Sequence, residues 1–180
     1  MPQSDVAAHP PAGSTLVLGG ARSGKSAYAE RLLAAHGGAQ LYIATAEARD
    51  DEMAARIADH QARRGAGWTT LEAPLDLVEA LQTHCRPERA VLVDCLTLWL
   101  SNLMAAARDI ASETATLAAA LPTLQGRTVF VANEVGLGIV PENALARRFR
   151  DEAGRLNQAI AQAADRVVFI AAGLPLTLKP

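Results

Sequence analysis

The stretch "LVLGGARSGKSAYAERLL", residues 16–33, decides the fold of this chain of 180 residues. It begins as an apolar strand pattern, passes through a glycine-rich turn and ends as an amphipathic helix pattern. Within it, Gly19-x-x-x-x-Gly24-Lys25-Ser26 satisfies the P-loop pattern in the strand–loop–helix context that this pattern requires. Backbone amides of such a loop point at phosphate oxygens, and the helix that follows adds the positive end of its dipole. The stretch therefore predicts a binding site for the phosphates of a nucleotide.

Each residue that defines the P-loop pattern has a physical role in this interpretation. Lys25 bridges the β and γ phosphates, and the Ser26 hydroxyl ligates Mg²⁺. Gly19, Gly20 and Gly24 permit a close approach of the backbone that a Cβ atom would block. The alternative is a glycine-rich turn followed by an exposed lysine, and the flanking strand and helix patterns count against it.

The composition limits the class of protein. Half of the residues are hydrophobic and 20% are charged, which is typical of a globular protein. Lys and Arg number 17, Asp and Glu number 19, and the net charge of −2 gives no bulk attraction to nucleic acid or to an anionic membrane. Two cysteines without a CxxC pair, no membrane-spanning apolar run and no secretory pattern at the N-terminus predict a cytoplasmic protein.

Short apolar runs alternate with helical patterns along the chain. Strands are predicted at 15–20, 41–45, 90–94, 128–133 and 166–171, with a further edge strand at 174–179. Helices are predicted at about 25–36, 50–64, 74–84, 96–121 with a break, and 143–164. The continuous apolar strands predict an α/β fold whose mostly parallel sheet is covered on both faces. We expect a flexible tail over 1–14 and a single domain over 15–180.

Two further segments carry candidate site residues. "AVLVD" ends at Asp94, where a carboxylate would hold Mg²⁺ or its water shell, or would cap the helix that follows. "NEVGLGIVPEN", residues 133–143, follows the next strand at the same predicted edge of the sheet. Asn133 and Glu134 either orient the acceptor or a water on Mg²⁺, or merely cap the loop. Because no NKxD element and no basic, aromatic-rich surface is present, the residues favour a small-molecule kinase.

One histidine lies in an unusual setting. The stretch "RDDEMAARIADHQARRGAGW", residues 49–68, predicts a helix that begins with acidic residues and ends with basic ones. His60 lies near its C-terminal end, beside Arg63 and Arg64. Periodicity alone favours a surface histidine stabilised by the helix dipole. The alternative is a neutral imidazole that attacks a nucleotide phosphate while an arginine neutralises the phosphate oxygens.

Four segments together resemble the bifunctional adenosylcobinamide kinase / adenosylcobinamide-phosphate guanylyltransferase family of cobalamin biosynthesis. They are "GGARSGKS", "LYIATAEARDDEMAARIADHQARR", "VLVDCLTLWLSNLM" and "VANEVGLGIVPENALARRFRDEAGRLNQAIAQAADRVVFIAAG". The blocks NEVGxGIVPEN and RxFRDxxGxxNQ are far more specific than the P-loop, and the resemblance runs from about residue 15 to the C-terminus.

The resemblance implies a RecA-like P-loop NTPase fold, a homotrimer and a two-step activity. The family phosphorylates adenosylcobinamide with ATP or GTP. It then transfers GMP from GTP to adenosylcobinamide phosphate through a guanylyl-histidine intermediate, which gives adenosyl-GDP-cobinamide and pyrophosphate. His60 matches the family's histidine, so the resemblance favours the nucleophile over the surface histidine.

The resemblance also implies the site residues, with GTP, ATP and Mg²⁺ bound and with His60 and Lys25 as catalytic residues. Ser26 and Asp94 are the implied metal ligands. Some family members carry Ser and Glu where this chain has Ala46 and Asp94, and the missing hydroxyl at Ala46 removes one hydrogen bond to the nucleotide. The implied nucleotide contacts are Gly19, Gly20, Ala21, Arg22, Ser23, Gly24, Lys25, Ser26, Ala44, Thr45, Ala46, Gln61, Ala62, Arg63, Arg64, Glu72 and Asp94.

Two other functions are compatible with a P-loop. One is a plain kinase of another small metabolite, which would form no covalent GMP adduct. The other is a RecA-like, nucleotide-dependent assembly module, which would show hydrolysis that depends on a polynucleotide. The acidic balance of charge already counts against the second.

Overall fold

A computed structural model of the protein describes residues 13–34, 38–46 and 67–180. These residues form one seven-stranded sheet with helices on both faces. The strands are β1 (Gly13–Gly19), β2 (Ala39–Ala44), β3 (Trp68–Glu72), β4 (Arg89–Asp94), β5 (Arg127–Asn133), β6 (Arg166–Ala171) and β7 (Leu174–Lys179). The helices are α1 (Lys25–Ala34), α2 (Leu77–His84), α3 (Leu96–Ala105), α4 (Ile110–Ala120) and α5 (Ala144–Ala163), with a 3₁₀ turn over Leu121–Thr123.

The sheet has the strand order β3-β2-β4-β5-β1-β6-β7. Every neighbouring pair is parallel except β6 and β7, which are antiparallel. The P-loop strand β1 therefore lies between β5 and β6, near the middle of the sheet. This arrangement confirms the predicted α/β class and the predicted edge strand at the C-terminus.

The apolar strands are continuous because the sheet buries both of its faces. Successive side chains of a strand point to opposite faces, and in β1 Leu16 and Leu18 pack into the core under α2, α3, α4 and α5. Between them, Val17 packs with Ala29 and Leu33 of α1 on the other face. A strand that is covered in this way has no polar face, which explains why its sequence does not alternate.

The predicted break in the helix at 96–121 is confirmed, since α3 ends at Ala105 and α4 begins at Ile110. Asp109 caps α4 by accepting a hydrogen bond from the Ser112 amide at 3.1 Å. Strand β3 was not predicted. Its sequence "WTTLE" has only two apolar residues and its side chains are mostly exposed, because it forms one edge of the sheet.

The predicted helix at 50–64 and residues 1–12 of the predicted tail lie outside the described residues. Strand β1 begins at Gly13, two residues before the predicted strand. Within the described ranges, none of the helices combines the length and the apolarity that crossing a membrane requires.

Candidate active site

Strand register places the predicted site residues at one edge of the sheet. Gly19 at the end of β1 pairs with Asn133 at the end of β5. Ala44 at the end of β2 pairs with Glu72 on one side and with Asp94 on the other. The carboxyl ends of parallel strands form the edge where ligands bind in open α/β sheets. The P-loop, the ends of β2 and β3, and Asp94 therefore share one surface.

The P-loop itself has the turn that its sequence predicts. The backbone of Gly24 adopts φ = +95°, and the Gly24 carbonyl accepts a hydrogen bond from the Tyr28 amide at 3.0 Å as α1 begins. The Ser23 amide donates to the Gly20 carbonyl at 3.3 Å inside the loop. Because residue 24 needs a left-handed backbone and lies close to Gly173, glycine is the residue that fits there. The loop thus delivers the positive end of α1 to the carboxyl edge of the sheet.

Lys25 is buried inside this loop. Its side chain is 8% exposed, and its Nζ donates to the Gly20 carbonyl at 3.0 Å. Burial lowers the pKa of Lys25, while the nearby Asp94 acts in the opposite direction. Burial also raises the pKa of Cys95 to about 12. The Cys95 thiol is therefore neutral at neutral pH, and Asp94 is the anion that accompanies the ammonium group.

Thr45 fixes the backbone next to Asp94. Its hydroxyl donates to the Cys95 carbonyl at 2.8 Å and accepts from the Cys95 amide at 2.8 Å. The Thr45 amide donates to the Asp94 carbonyl at 3.3 Å, and the Thr45 side chain is fully buried. The Asp94–Cys95 peptide bond is cis. One side chain at the end of β2 thereby holds both polar backbone groups of the residue that follows Asp94.

Two polar residues on α3 support this edge, and no pattern in the sequence predicted a role for them. Asn102 is 6% exposed, and its Nδ2 donates to the carbonyls of Thr45 at 2.7 Å and Pro74 at 3.1 Å. The Thr97 hydroxyl accepts from the Asn133 amide at 2.7 Å. The sequence signal that could have revealed them is the presence of polar residues in an otherwise apolar helix. A polar group that is buried in such a helix needs a hydrogen-bond partner.

Neighbouring strands hold the P-loop from both sides. The Glu134 amide, just beyond β5, donates to the Gly19 carbonyl at 3.0 Å. The Gly173 amide, in the turn between β6 and β7, donates to the Ser23 carbonyl at 2.9 Å. The Ser23 hydroxyl oxygen is buried and has no hydrogen-bond partner among the residues that the structure describes. That hydroxyl retains its capacity to bind a ligand in the loop.

The donor atoms at this edge fit Mg²⁺. Ser26 in the first turn of α1 and Asp94 at the end of β4 supply a hydroxyl and a carboxylate, which are hard oxygen ligands. The N-cap of α3 is Cys95, so Asp94 does not occupy the cap position that the alternative interpretation gave it. Ranges 13–34, 38–46 and 67–180 contain no cluster of three His, Cys, Asp or Glu side chains suited to a metal. Mg²⁺ would therefore share its coordination with phosphate oxygens and water, as it commonly does.

The remaining predicted residues divide into two groups. Ala44 is buried, Ala46 is partly exposed, and Glu72 and Arg22 are exposed at the carboxyl edge or in the loop. His60 and its neighbours lie outside the described residues, so their place in the site stays a prediction. Those neighbours are Gln61, Ala62, Arg63 and Arg64.

Solved structures of low sequence identity share this fold. The crystal structure of flagellar accessory protein FlaH from Methanocaldococcus jannaschii matches with a TM-score of 0.55 and 12% identity, over 94% of this chain and 79% of that chain. The P4 protein from bacteriophage phi6 in complex with ADP matches with a TM-score of 0.51 and 16% identity, over 91% of this chain and 52% of that chain. These likenesses establish a P-loop, RecA-like fold.

Curated relatives are much more similar in sequence. The bifunctional adenosylcobalamin biosynthesis protein CobP of Pseudomonas aeruginosa is 54% identical, over 91% of this chain and 96% of the relative. The bifunctional adenosylcobalamin biosynthesis protein CobU of Salmonella typhimurium is 44% identical, over 91% of this chain and 98% of the relative. A family model described as cobinamide kinase / cobinamide phosphate guanyltransferase matches residues 15–178. The chain therefore belongs to the cobinamide kinase / cobinamide phosphate guanyltransferase family.

Proposed function

We propose that this protein phosphorylates adenosylcobinamide with ATP or GTP and then transfers GMP from GTP to adenosylcobinamide phosphate. The products of the second step are adenosyl-GDP-cobinamide and pyrophosphate. The observation that carries the proposal is a buried Lys25 beside Asp94 in a P-loop, in a chain that matches the family over residues 15–178.

Lys25 binds the phosphate tail of the nucleotide. In the free protein its ammonium group donates to the Gly20 carbonyl, so the positive charge lies inside the loop. Phosphate oxygens are stronger acceptors than a carbonyl because they are charged, so they replace Gly20 as the partner. The low exposure of Lys25 strengthens this attraction, since water screens it poorly. Charge that develops on the leaving pyrophosphate is stabilised in the same way.

Ser26 and Asp94 would hold Mg²⁺ together with phosphate oxygens of the nucleotide. When bound, the metal neutralises charge on the β and γ phosphates. The protein's own contribution is positional. Thr45 fixes the backbone beside Asp94, and α1 fixes Ser26 one residue after Lys25.

The kinase step forms a bond between the acceptor hydroxyl oxygen and the γ-phosphorus while the bridging bond to the β-phosphate breaks. The guanylyl step runs through His60 as nucleophile. An imidazole nitrogen attacks the α-phosphorus of GTP, a P–N bond forms, and pyrophosphate leaves. A phosphate oxygen of adenosylcobinamide phosphate then attacks the same phosphorus and the P–N bond breaks. Since the two steps use different phosphorus atoms, the nucleotide takes a different position relative to His60 in each.

Incubation with GTP labelled at the α-phosphate tests the covalent step. We expect an adduct that is stable in alkali and labile in acid, as a phosphoramidate is, and peptide mapping should place it on His60. His60→Ala should abolish the adduct and GMP transfer while kinase activity with γ-labelled ATP persists. His84→Ala, which removes the histidine at the end of α2, is the control and should keep both activities.

A label on another residue would exclude His60 as the nucleophile. If the protein phosphorylated cobinamide but formed no covalent GMP adduct, the guanylyl-transfer step would be excluded and only the kinase activity would remain. Equal loss of both activities in a folded His60→Ala variant would show that the roles are not separate.

We further propose that the protein is a cytoplasmic homotrimer, as the family resemblance implies. Cys85 and Cys95 are buried free thiols, which suits a reducing compartment. Light scattering on the purified protein should give three chain masses, and a mass of one or two chains would contradict the trimer.

A further inference from the structure

The segment that joins β5 to α5 exposes a series of apolar side chains beside the P-loop. We call residues 134–145, which include the first two residues of α5, the apolar loop. Within it Leu137 is 82% exposed, Ile139 97%, Val140 60% and Leu145 65%. Surfaces of monomeric proteins rarely carry so many adjacent exposed apolar side chains, and such patches mark binding sites.

The start of the apolar loop is attached to the phosphate site. Asn133, the last residue of β5, pairs with Gly19, and the Glu134 amide donates to the Gly19 carbonyl at 3.0 Å. One Glu134 carboxylate oxygen then accepts from the Gly136 amide at 2.5 Å. The chain therefore leaves the sheet in a fixed direction at the point where the P-loop begins.

The far end of the apolar loop is equally well attached. Asn143 caps α5 by accepting from the amides of Leu145 at 2.7 Å and Ala146 at 3.2 Å. The Arg147 guanidinium donates to the carbonyls of Pro141 at 2.9 Å and Glu142 at 2.5 Å. Polar contacts thus fix both ends of the backbone, while Leu137, Ile139 and Val140 between them remain largely exposed.

The proposed function supplies a ligand with the matching chemistry, and the inference rests on it. We propose that the apolar loop binds the corrin macrocycle of the cobinamide acceptor in both reaction steps. Only the hydroxyl-bearing side arm of this acceptor has to reach the nucleotide. The macrocycle is too large to enter the P-loop, and its methyl groups and saturated ring carbons can pack against apolar side chains just outside the phosphate site.

The exposed apolar side chains lie only a few residues beyond the contact with the P-loop. Leu137 is three residues beyond Glu134, so its Cα lies within about 11 Å of the Glu134 Cα at full extension. A side arm of several bonds spans such a distance. In the described part of the chain, the other large exposed apolar side chains are Leu174, Leu176 and Leu178 on β7. That strand runs away from the site, since its end at Lys179 pairs with Val167 near the start of β6.

Equilibrium dialysis measures cobinamide binding without any turnover, and the visible absorbance of cobinamide gives its concentration on each side of the membrane. Ile139→Ser and Leu137→Ser should each weaken cobinamide binding about tenfold, which corresponds to about 1.4 kcal/mol. The KM for the acceptor should rise by the same factor in both steps, while kcat and the KM for nucleotide stay unchanged. Leu178→Ser is the control. It removes an equally apolar, 56% exposed side chain near the end of β7 that lies away from the P-loop, and it should change none of these values.

Unchanged cobinamide binding in Ile139→Ser and Leu137→Ser would overturn the proposal. It would also be overturned if these variants changed the oligomeric state in light scattering and lost affinity only as a result, because the loop would then be an interface between copies. A wild-type protein that binds cobinamide but forms no GMP adduct would contradict the guanylyl step alone. The two ideas therefore fail in different experiments.

Discussion

The amide of Gly173 donates a hydrogen bond to the carbonyl of Ser23 at 2.9 Å, which joins the last hairpin of the sheet to the P-loop. Gly173 and the preceding Ala172 form the two-residue turn between β6 and β7, with φ values of +79° and +51°. Positive φ at both positions is the backbone of the tight turns that suit twisted hairpins. The geometry of the phosphate site therefore depends on a turn that lies about 150 residues further along the chain.

Replacing Gly173 tests this dependence. Valine is strongly disfavoured at positive φ, so Gly173→Val should shift the turn, remove the bond to Ser23 and weaken nucleotide binding by about tenfold. Asparagine tolerates the left-handed region, and no atom lies within 4 Å of a Cβ at this position, so Gly173→Asn should bind nearly as the wild type does. Calorimetric titration with GTP measures both variants. Equal affinity in the two would show that the turn does not position the P-loop.

The local parts of the site could be predicted from the sequence, whereas its long-range supports could not. The P-loop is contiguous, and Asp94 is marked by the end of an apolar strand, so both are visible as patterns. The bonds of Thr45 to Cys95 and of Asn102 to Thr45 join residues at least 50 positions apart, and periodicity holds no information on such pairs. Strand β3 was missed because an exposed edge strand lacks the apolar run that marks a buried one.

Lys25 gives nucleotide binding a pH dependence whose sign follows from its surroundings. Burial lowers the pKa of Lys25 in the free protein, and bound phosphates favour its charged form and raise that pKa. Below the lowered pKa the ammonium group is already present, so affinity does not vary with pH through this group. Between the two pKa values binding must take up a proton, so affinity should fall as pH rises, by up to tenfold per unit.

ATP is the suitable probe because its base does not titrate in the alkaline range. Lys25→Arg keeps a permanent charge, since a guanidinium does not lose its proton in proteins. This variant should bind more weakly at neutral pH but should lack the alkaline decline. An identical decline in the wild type and in Lys25→Arg would assign it to another group.

Thr45→Val should both destabilise the protein and disturb the proposed Mg²⁺ site at Asp94. The substitution keeps the size of the side chain but leaves the buried amide and carbonyl of Cys95 without the Thr45 hydroxyl. A buried polar group without its partner costs about 1–3 kcal/mol, so the free energy of unfolding should fall by that amount. Because Asp94 precedes Cys95, the Mg²⁺ concentration needed for half-maximal activity should also rise.

Thr45→Ser is the matched control, because it retains the hydroxyl and loses only a methyl group. It should cost less stability than Thr45→Val in a denaturant titration and leave the Mg²⁺ dependence near that of the wild type. If valine and serine gave the same Mg²⁺ dependence, the hydroxyl would have no part in positioning Asp94.

The two cysteines should be unreactive in the folded protein. Burial raises the pKa of Cys95 to about 12 and also raises the pKa of Cys85. Because the thiolate is the reactive form, at pH 8 Cys95 reacts through a fraction on the order of one in ten thousand. A coloured thiol reagent should therefore titrate almost no thiol in the native protein and two per chain after unfolding. Rapid reaction of one native thiol would contradict this, and Cys85→Ala and Cys95→Ala would identify it. Slow reaction would also mean that Cys95, although it follows Asp94 directly, does not compete with the proposed nucleophile His60 for the GMP group at neutral pH.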